Sequence, residues 1–194
     1  MTENPNFTDT LCVAILAGGP SAEADVSRAS AAQIQLALTQ AGHRASTVEL
    51  DQHCAAALIA AQPDVVFPAL HGPPGEDGTV QGMLEMLGLP YVGSDVRGSA
   101  VAMDKAIAKN VFQRAGLPVS DDCIVHPDQD LTEAASEIVH TLGTCVAIKP
   151  LNQGSAIGVQ LLPNGGDIAA ALAASVIYGS CPVEPFVLGR PMAA

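Results

Sequence analysis

Lys149 ends the apolar run Val146-Ala147-Ile148 and precedes Pro150-Leu151-Asn152-Gln153-Gly154-Ser155. A lysine that leaves a strand just before a flexible loop can balance phosphate charge. The loop N–H groups and a serine can then wrap the phosphates. The spacing matches neither a Walker A loop nor a GxGxxG fingerprint. Lys105, after Met103-Asp104 at a helix start, is a second candidate for a phosphate; without context a surface lysine is the plainer reading. Gly18-Gly19 closes another apolar run, and the helix that follows aims free N–H groups at the turn. Glu23 in that stretch can grip an ammonium group. Taken alone, Glu23 and Asp25 are better explained as acids favouring the helix dipole. His71 stands at a strand end with Gly72, Gly75 and Gly78 after it, which is a site-like loop. A lone histidine is more often structural, and Asp77 suits the start of the next helix.

Lys105, Lys109 and Lys149 are the whole lysine complement of a 194-residue chain with net charge −12. A scarce cation in an acidic chain points to a local task, such as holding a small anion, or else to a compositional habit. The same charge repels a phosphate backbone, which argues against nucleic acid as a partner. Hydrophobic residues make up 48 % and charged residues 14 %, so a core is available and disorder is excluded. No apolar run reaches the ~18 residues that a membrane span needs. Met1–Thr10 is polar, and the apolar run Leu11–Ala17 is too short for a signal-peptide core. A flexible tail over 1–10 and a soluble, cytoplasmic protein are expected. Five scattered cysteines without CxxC or Cys/His spacing are expected as buried free thiols, with no metal site.

These candidates need elements to hold them. Strands are expected over Leu11–Ala17, Arg44–Leu50 and Asp64–Leu70, and helices over Ser21–Gln40, Cys54–Ala61 and Thr79–Leu87. The βαβαβ rhythm implies a Rossmann-like parallel sheet with helices on both faces, binding ligands beyond its strand ends. The Gly18-Gly19 turn and the His71-Gly72 loop fall there. After a helix over Lys105–Ala115, Gly116-Leu117-Pro118 suggests a subdomain boundary. Strands follow at Cys123–His126, Thr144–Lys149, Ala156–Leu162 and Pro182–Val187, with helices at Leu131–Leu142 and Asp167–Ile177.

In combination these stretches resemble the D-alanine–D-alanine ligase family of the ATP-grasp superfamily. The matching motifs run in order as GGPSAEADVS, ALHGPPGEDGTVQGMLEMLGLPYVGS, AVAMDK, AGLPVS and IKPLNQGSAIGV, and the likeness extends from Leu11 to Arg190. The resemblance implies an α/β chain: a parallel-sheet substrate domain over 11–104, then an incomplete ATP-grasp α+β subdomain over 105–194. It implies an ATP-dependent ligase joining two D-alanines through an acyl phosphate for peptidoglycan precursors. By the same resemblance, Glu23 grips the first D-alanine ammonium and His71 lines that pocket. Lys105 and Lys149 hold phosphates, Glu184 meets the adenine amino group, and Ser155 links Glu23 to the closing lid. ATP and Mg²⁺ are the implied cofactors, and a homodimer through the N-terminal domain is the implied assembly. Departures from the family pattern are Ala156 for a second serine, Gln153 for a loop Glu, Asp25 for Glu and Pro191 for an acid. The family's lid tyrosine, transition-state arginine and magnesium ligands have no counterpart in the chain, so it is expected to be inactive alone. Two alternatives stay open. One is a D-Ala–D-lactate or D-serine type ligase fragment. The other is a non-catalytic module that binds a D-amino acid or nucleotide.

Overall fold

Cys12–Ala17 forms β1, and Val13 to Ala17 are all buried. Apolar residues can fill both faces of this strand because helices cover both. Val13, Ile15 and Ala17 meet Ala31, Ile34 and Leu38 of α1 (Ala24–Gln40). Ala14 and Leu16 meet Cys54 and Leu58 of α2 (Cys54–Ala61), and Val80 and Leu84 of α3 (Thr79–Met86). β2 (Arg44–Glu49) and β3 (Val65–Pro68) pair with β1 in parallel, in the order β2-β1-β3. The computed structural model describes residues 10–189. The expected tail over 1–10 therefore lies, except for Thr10, outside the described residues, as does Pro191.

The chain divides into two compact units, Met1–Ala100 and Val101–Ala194. The division falls within α4 (Val96–Met103) rather than at Gly116-Leu117-Pro118. The sequence reading did not anticipate α4. Gly98 and Ser99 weaken its helical pattern, but Asp95 Oδ1 accepts the Gly98 N–H at 2.7 Å and secures its first turn.

In the second unit α5 (Lys105–Arg114) precedes β4 (Cys123–Val125), α6 (Leu131–Leu142), β5 (Val146–Ile148) and β6 (Gln160–Leu162). Then come α7 (Ile168–Ser175), one 3₁₀ turn (Val176–Tyr178) and β7 (Cys181–Pro185). Asp104, Asp130 and Asp167 cap α5, α6 and α7 by accepting N–H groups of their first turns. Strand–helix alternation, which built a parallel sheet in the first unit, here builds an antiparallel one, β4-β7-β5-β6. One core unites β4, β5 and β7 with α6 and α7 through Val125, Val146, Ile148, Val183, Ile138 and Leu172.

The expectation of buried thiols needs correction. Cys54 and Cys181 are buried, Cys12 and Cys123 are half-buried, and Cys145 is exposed; all five are free. Cys12 and Cys123 open their strands and Cys145 precedes one, where packing is incomplete. Strand Ala156–Leu162 also shortens to β6, because Ser155 and Ala156 take left-handed φ of 48° and 58° in a turn. Among the described residues, no helix is long and apolar enough to cross a membrane.

Candidate functional site

Two sets of side chains carry the candidate chemistry, one in each unit. In the first, Gly18 and Gly19 leave β1 with φ of +75° and +91°. A Cβ on Gly18 would collide with the Glu49 carboxylate. Ser27, fully buried on α1, accepts the Gly18 N–H at 2.9 Å and donates to the Ala69 carbonyl at 2.6 Å. One hydroxyl thus ties the glycine turn to the end of the β3 segment. Ser21 Oγ donates to the His71 carbonyl at 2.7 Å and accepts the Glu23 N–H at 3.1 Å. Glu76 accepts the Gly72 N–H at 2.6 Å, and His71 Nε2 lies 3.3 Å from Ser30 Oγ.

These bonds bring Glu23 and the His71-Gly72 loop together. Glu23 Oε2 sits 3.4 Å from the place a Gly72 Cβ would occupy. Glu23 holds the N-cap position of α1, yet its side chain makes no cap hydrogen bond, so simple capping does not describe it. Asp25 is exposed and pairs with Arg28 at 2.7 Å. Ser21, Ser27 and Glu76 went unassigned from sequence. Ser21 and Ser27 stand inside the GGPSAEADVS stretch, and Glu76 inside GEDG, with nothing local to mark their partners.

In the second unit all three lysines line one cavity of about 410 Å³, together with Glu184, Phe112 and Val119. Lys105 and Lys109 are one helical turn apart on α5 and share a face. Lys149 follows β5, and register does the rest. Glu184 lies opposite Ala147, so Lys149 is its diagonal neighbour on the same face. Lys149 Nζ donates to Glu184 Oε2 at 2.6 Å, and Lys109 Nζ donates to Glu184 Oε1 at 2.9 Å and to Asp122 at 2.7 Å. Lys105 Nζ donates to the carbonyls of Pro150, Leu151 and Gln153 at 2.8, 3.3 and 2.6 Å. It thereby fastens the loop that carries Ser155 by its backbone, the Gln153 side chain taking no part in these bonds. Lys109 was counted in the sequence but given no role; its i+4 spacing from Lys105 is the signal that marks it.

The charges respond to this crowding. Burial pushes the Glu184 carboxyl up, but hydrogen bonds from Lys149 and Lys109 outweigh it and hold the group below the usual carboxylate range. Burial pulls Lys109 down, while Asp122 and Glu184 pull it further up. Lys105 is held below the ordinary lysine value by burial and by the neighbouring Lys149 charge. An ammonium met by carbonyl dipoles rather than by a bonded carboxylate, beside two more lysines, suits an incoming anion. The apolar Phe112 and Val119 suit a flat ring beside it. Among the described residues no group of three or more His, Cys, Asp or Glu side chains is placed to hold a metal ion.

A parallel α/β unit followed by an antiparallel α+β unit with a lysine-lined cavity has the architecture of the leading part of an ATP-grasp fold. The family model described as "D-ala D-ala ligase N-terminus" matches residues 54–94. The D-alanine–D-alanine ligase of Moorella thermoacetica is 40% identical over 186 residues, covering 94% of this chain and 60% of that protein. The enzyme of that name from Acidiphilium cryptum is 43% identical over 183 residues, covering 93% and 59%. The crystal structure of D-alanine–D-alanine ligase from Bacillus anthracis complexed with ATP has a TM-score of 0.77 at 28% identity, covering 93% of this chain and 60% of that one. Over nearly its whole length the chain is similar to D-alanine–D-alanine ligases. It spans about 60% of the length of the curated relatives it matches.

Proposed function

We propose that this chain provides the nucleotide-phosphate grip and the first-substrate grip of an ATP-dependent ligase that joins two D-alanines for peptidoglycan precursors. The observation that carries this reading is the gathering of every lysine in an acidic chain onto one cavity wall. In the reaction of the whole ligase, the γ-phosphoryl of ATP passes to the carboxylate of the first D-alanine and ADP forms. The amine of the second D-alanine then attacks the acyl phosphate, and inorganic phosphate leaves. Lys105 and Lys149 hold phosphate oxygens, which disperses charge on the transferring group. Glu184 accepts the adenine amino group, Glu23 accepts the D-alanine ammonium beside the His71-Gly72 loop, and Ser155 is the loop serine that completes closure. Mg²⁺ belongs to the same reading, and no step is assigned through it. Pairing through the first unit and action in the cytoplasm belong to the same reading.

Calorimetric titration of ATP, and then of D-alanine, tests it. Saturable heat from both is expected. Lys149→Met should weaken ATP at least about tenfold by losing a charge-assisted contact. Its melting temperature should stay close to that of the parent, because Glu184 keeps Lys109. Glu23→Gln should weaken D-alanine about ten- to hundredfold. ATP binding that is unchanged in Lys149→Met would overturn the phosphate assignment.

A further inference from the structure

Asp122, Lys109, Glu184 and Lys149 form an unbroken row of alternating charges, with contacts of 2.7, 2.9 and 2.6 Å. Its ends differ. The Lys109 side chain is 14% exposed and has two carboxylate partners, whereas Lys149 is 34% exposed and has one. Lys109 is therefore the fixed cation of the row and Lys149 the one free to change partner. A phosphate that draws Lys149 to itself competes with Glu184 for it. Glu184 is four-fifths buried, and a buried carboxylate stripped of its cation is strongly penalised. With Lys109 still in place, Glu184 keeps one ammonium and Lys149 can leave cheaply.

We propose that Lys109, anchored by Asp122, is a positioning residue that retains Glu184 as a fixed carboxylate while Lys149 exchanges Glu184 for a phosphate oxygen. This rests on the nucleotide reading of the cavity and adds to it a partner exchange. Glu184 holds Lys149 in this structure, and phosphate binding would release it without stranding the acid. Lys109 acts through Glu184 and touches no phosphate. Asp122 neutralises the second side of Lys109, so the row is electrically balanced before the anion arrives.

A double-mutant cycle on the 194-residue chain tests this, with inorganic triphosphate as the calorimetric probe, ATP alongside it and melting temperatures in parallel. Lys109→Met should weaken triphosphate about tenfold, because Glu184 then holds Lys149 as its one remaining cation. Lys109→Arg should restore affinity to within about threefold. Glu184→Gln should bind triphosphate at least as tightly as the parent, since nothing competes for Lys149. Adding Lys109→Met to Glu184→Gln should then change affinity less than about twofold. A loss of similar size in both backgrounds would overturn the proposal, because Lys109 would be acting by direct contact or through general folding. Unchanged affinity in Lys109→Met alone would overturn it as well. Failure of the unsubstituted chain to bind either triphosphate or ATP would instead overturn the nucleotide reading, and the proposal with it.

Discussion

Glu184 is held by two ammonium groups, and that doubling gives it a pH signature of its own. Its native carboxyl lies below the ordinary value of 4.5 because Lys149 and Lys109 overcome the effect of burial. A depressed carboxyl contributes stability that is present above the unfolded value and is lost as pH falls through the native one. The melting temperature of the chain should therefore decline below about pH 4.5, and part of that decline should vanish in Glu184→Gln. Thermal melts between pH 6 and 3 make the comparison, and identical slopes in the two proteins would remove Glu184 from the account. Lys109 works in the other direction. Its native value is raised, so its contribution is complete at neutral pH and is lost as pH climbs past the ordinary lysine value of 10.5.

At the scale of elements, one hydroxyl holds the glycine turn after β1 against the end of the β3 segment. Ser27 is fully buried, accepts from Gly18 and donates to Ala69, so Ser27→Ala strands a buried N–H and a buried C=O together. The expected cost is about 1–3 kcal/mol, measurable by urea unfolding. Ser27→Cys, which keeps a weak donor and acceptor, should cost less than Ser27→Ala. A neutral Ser27→Ala would show that water or a backbone shift takes over both partners. In the second unit Asp104, Asp130 and Asp167 secure helix starts in the same spirit, by accepting otherwise unpaired N–H groups.

Over the whole molecule, net charge and local charge have opposite signs. The chain carries −12, whereas the three lysines with Glu184 and Asp122 leave their own cavity slightly positive. On the proposed nucleotide reading, ATP, itself an anion, would approach through a repulsive long-range field and dock on a short-range attractive patch. Raising ionic strength from about 10 mM to about 150 mM shrinks the Debye length from ~30 Å to ~8 Å. The association rate of ATP should therefore rise with salt while its dissociation rate also rises, as stopped-flow measurements can show. An association rate that falls with salt would mean that the patch, not the net charge, governs approach.

Much of this architecture was legible in the one-dimensional pattern. α2 and α6 begin and end at the expected residues, and β1, β2 and α3 agree to within a residue at each end. Continuous apolar runs, helical periodicity and glycine stops are local signals, and local backbone preference decides such elements. The Gly18-Gly19 turn, the His71 loop and the Lys149 loop were recognisable as site-like for the same reason. Other features had no local signal. Helix α4 depends on an Asp95 cap that must outweigh Gly98. The exposure of Cys145 depends on where its strand begins. The contact between Lys149 and Glu184 depends on the register of β5 against β7, and the Lys109–Asp122 contact depends on a loop folding back to its helix. Residue type and spacing determined which groups could carry charge; only tertiary pairing across 75 residues, Lys109 to Glu184, decided which charges meet. Pairing of that kind is set by sheet register and packing, to which no short stretch of sequence has access.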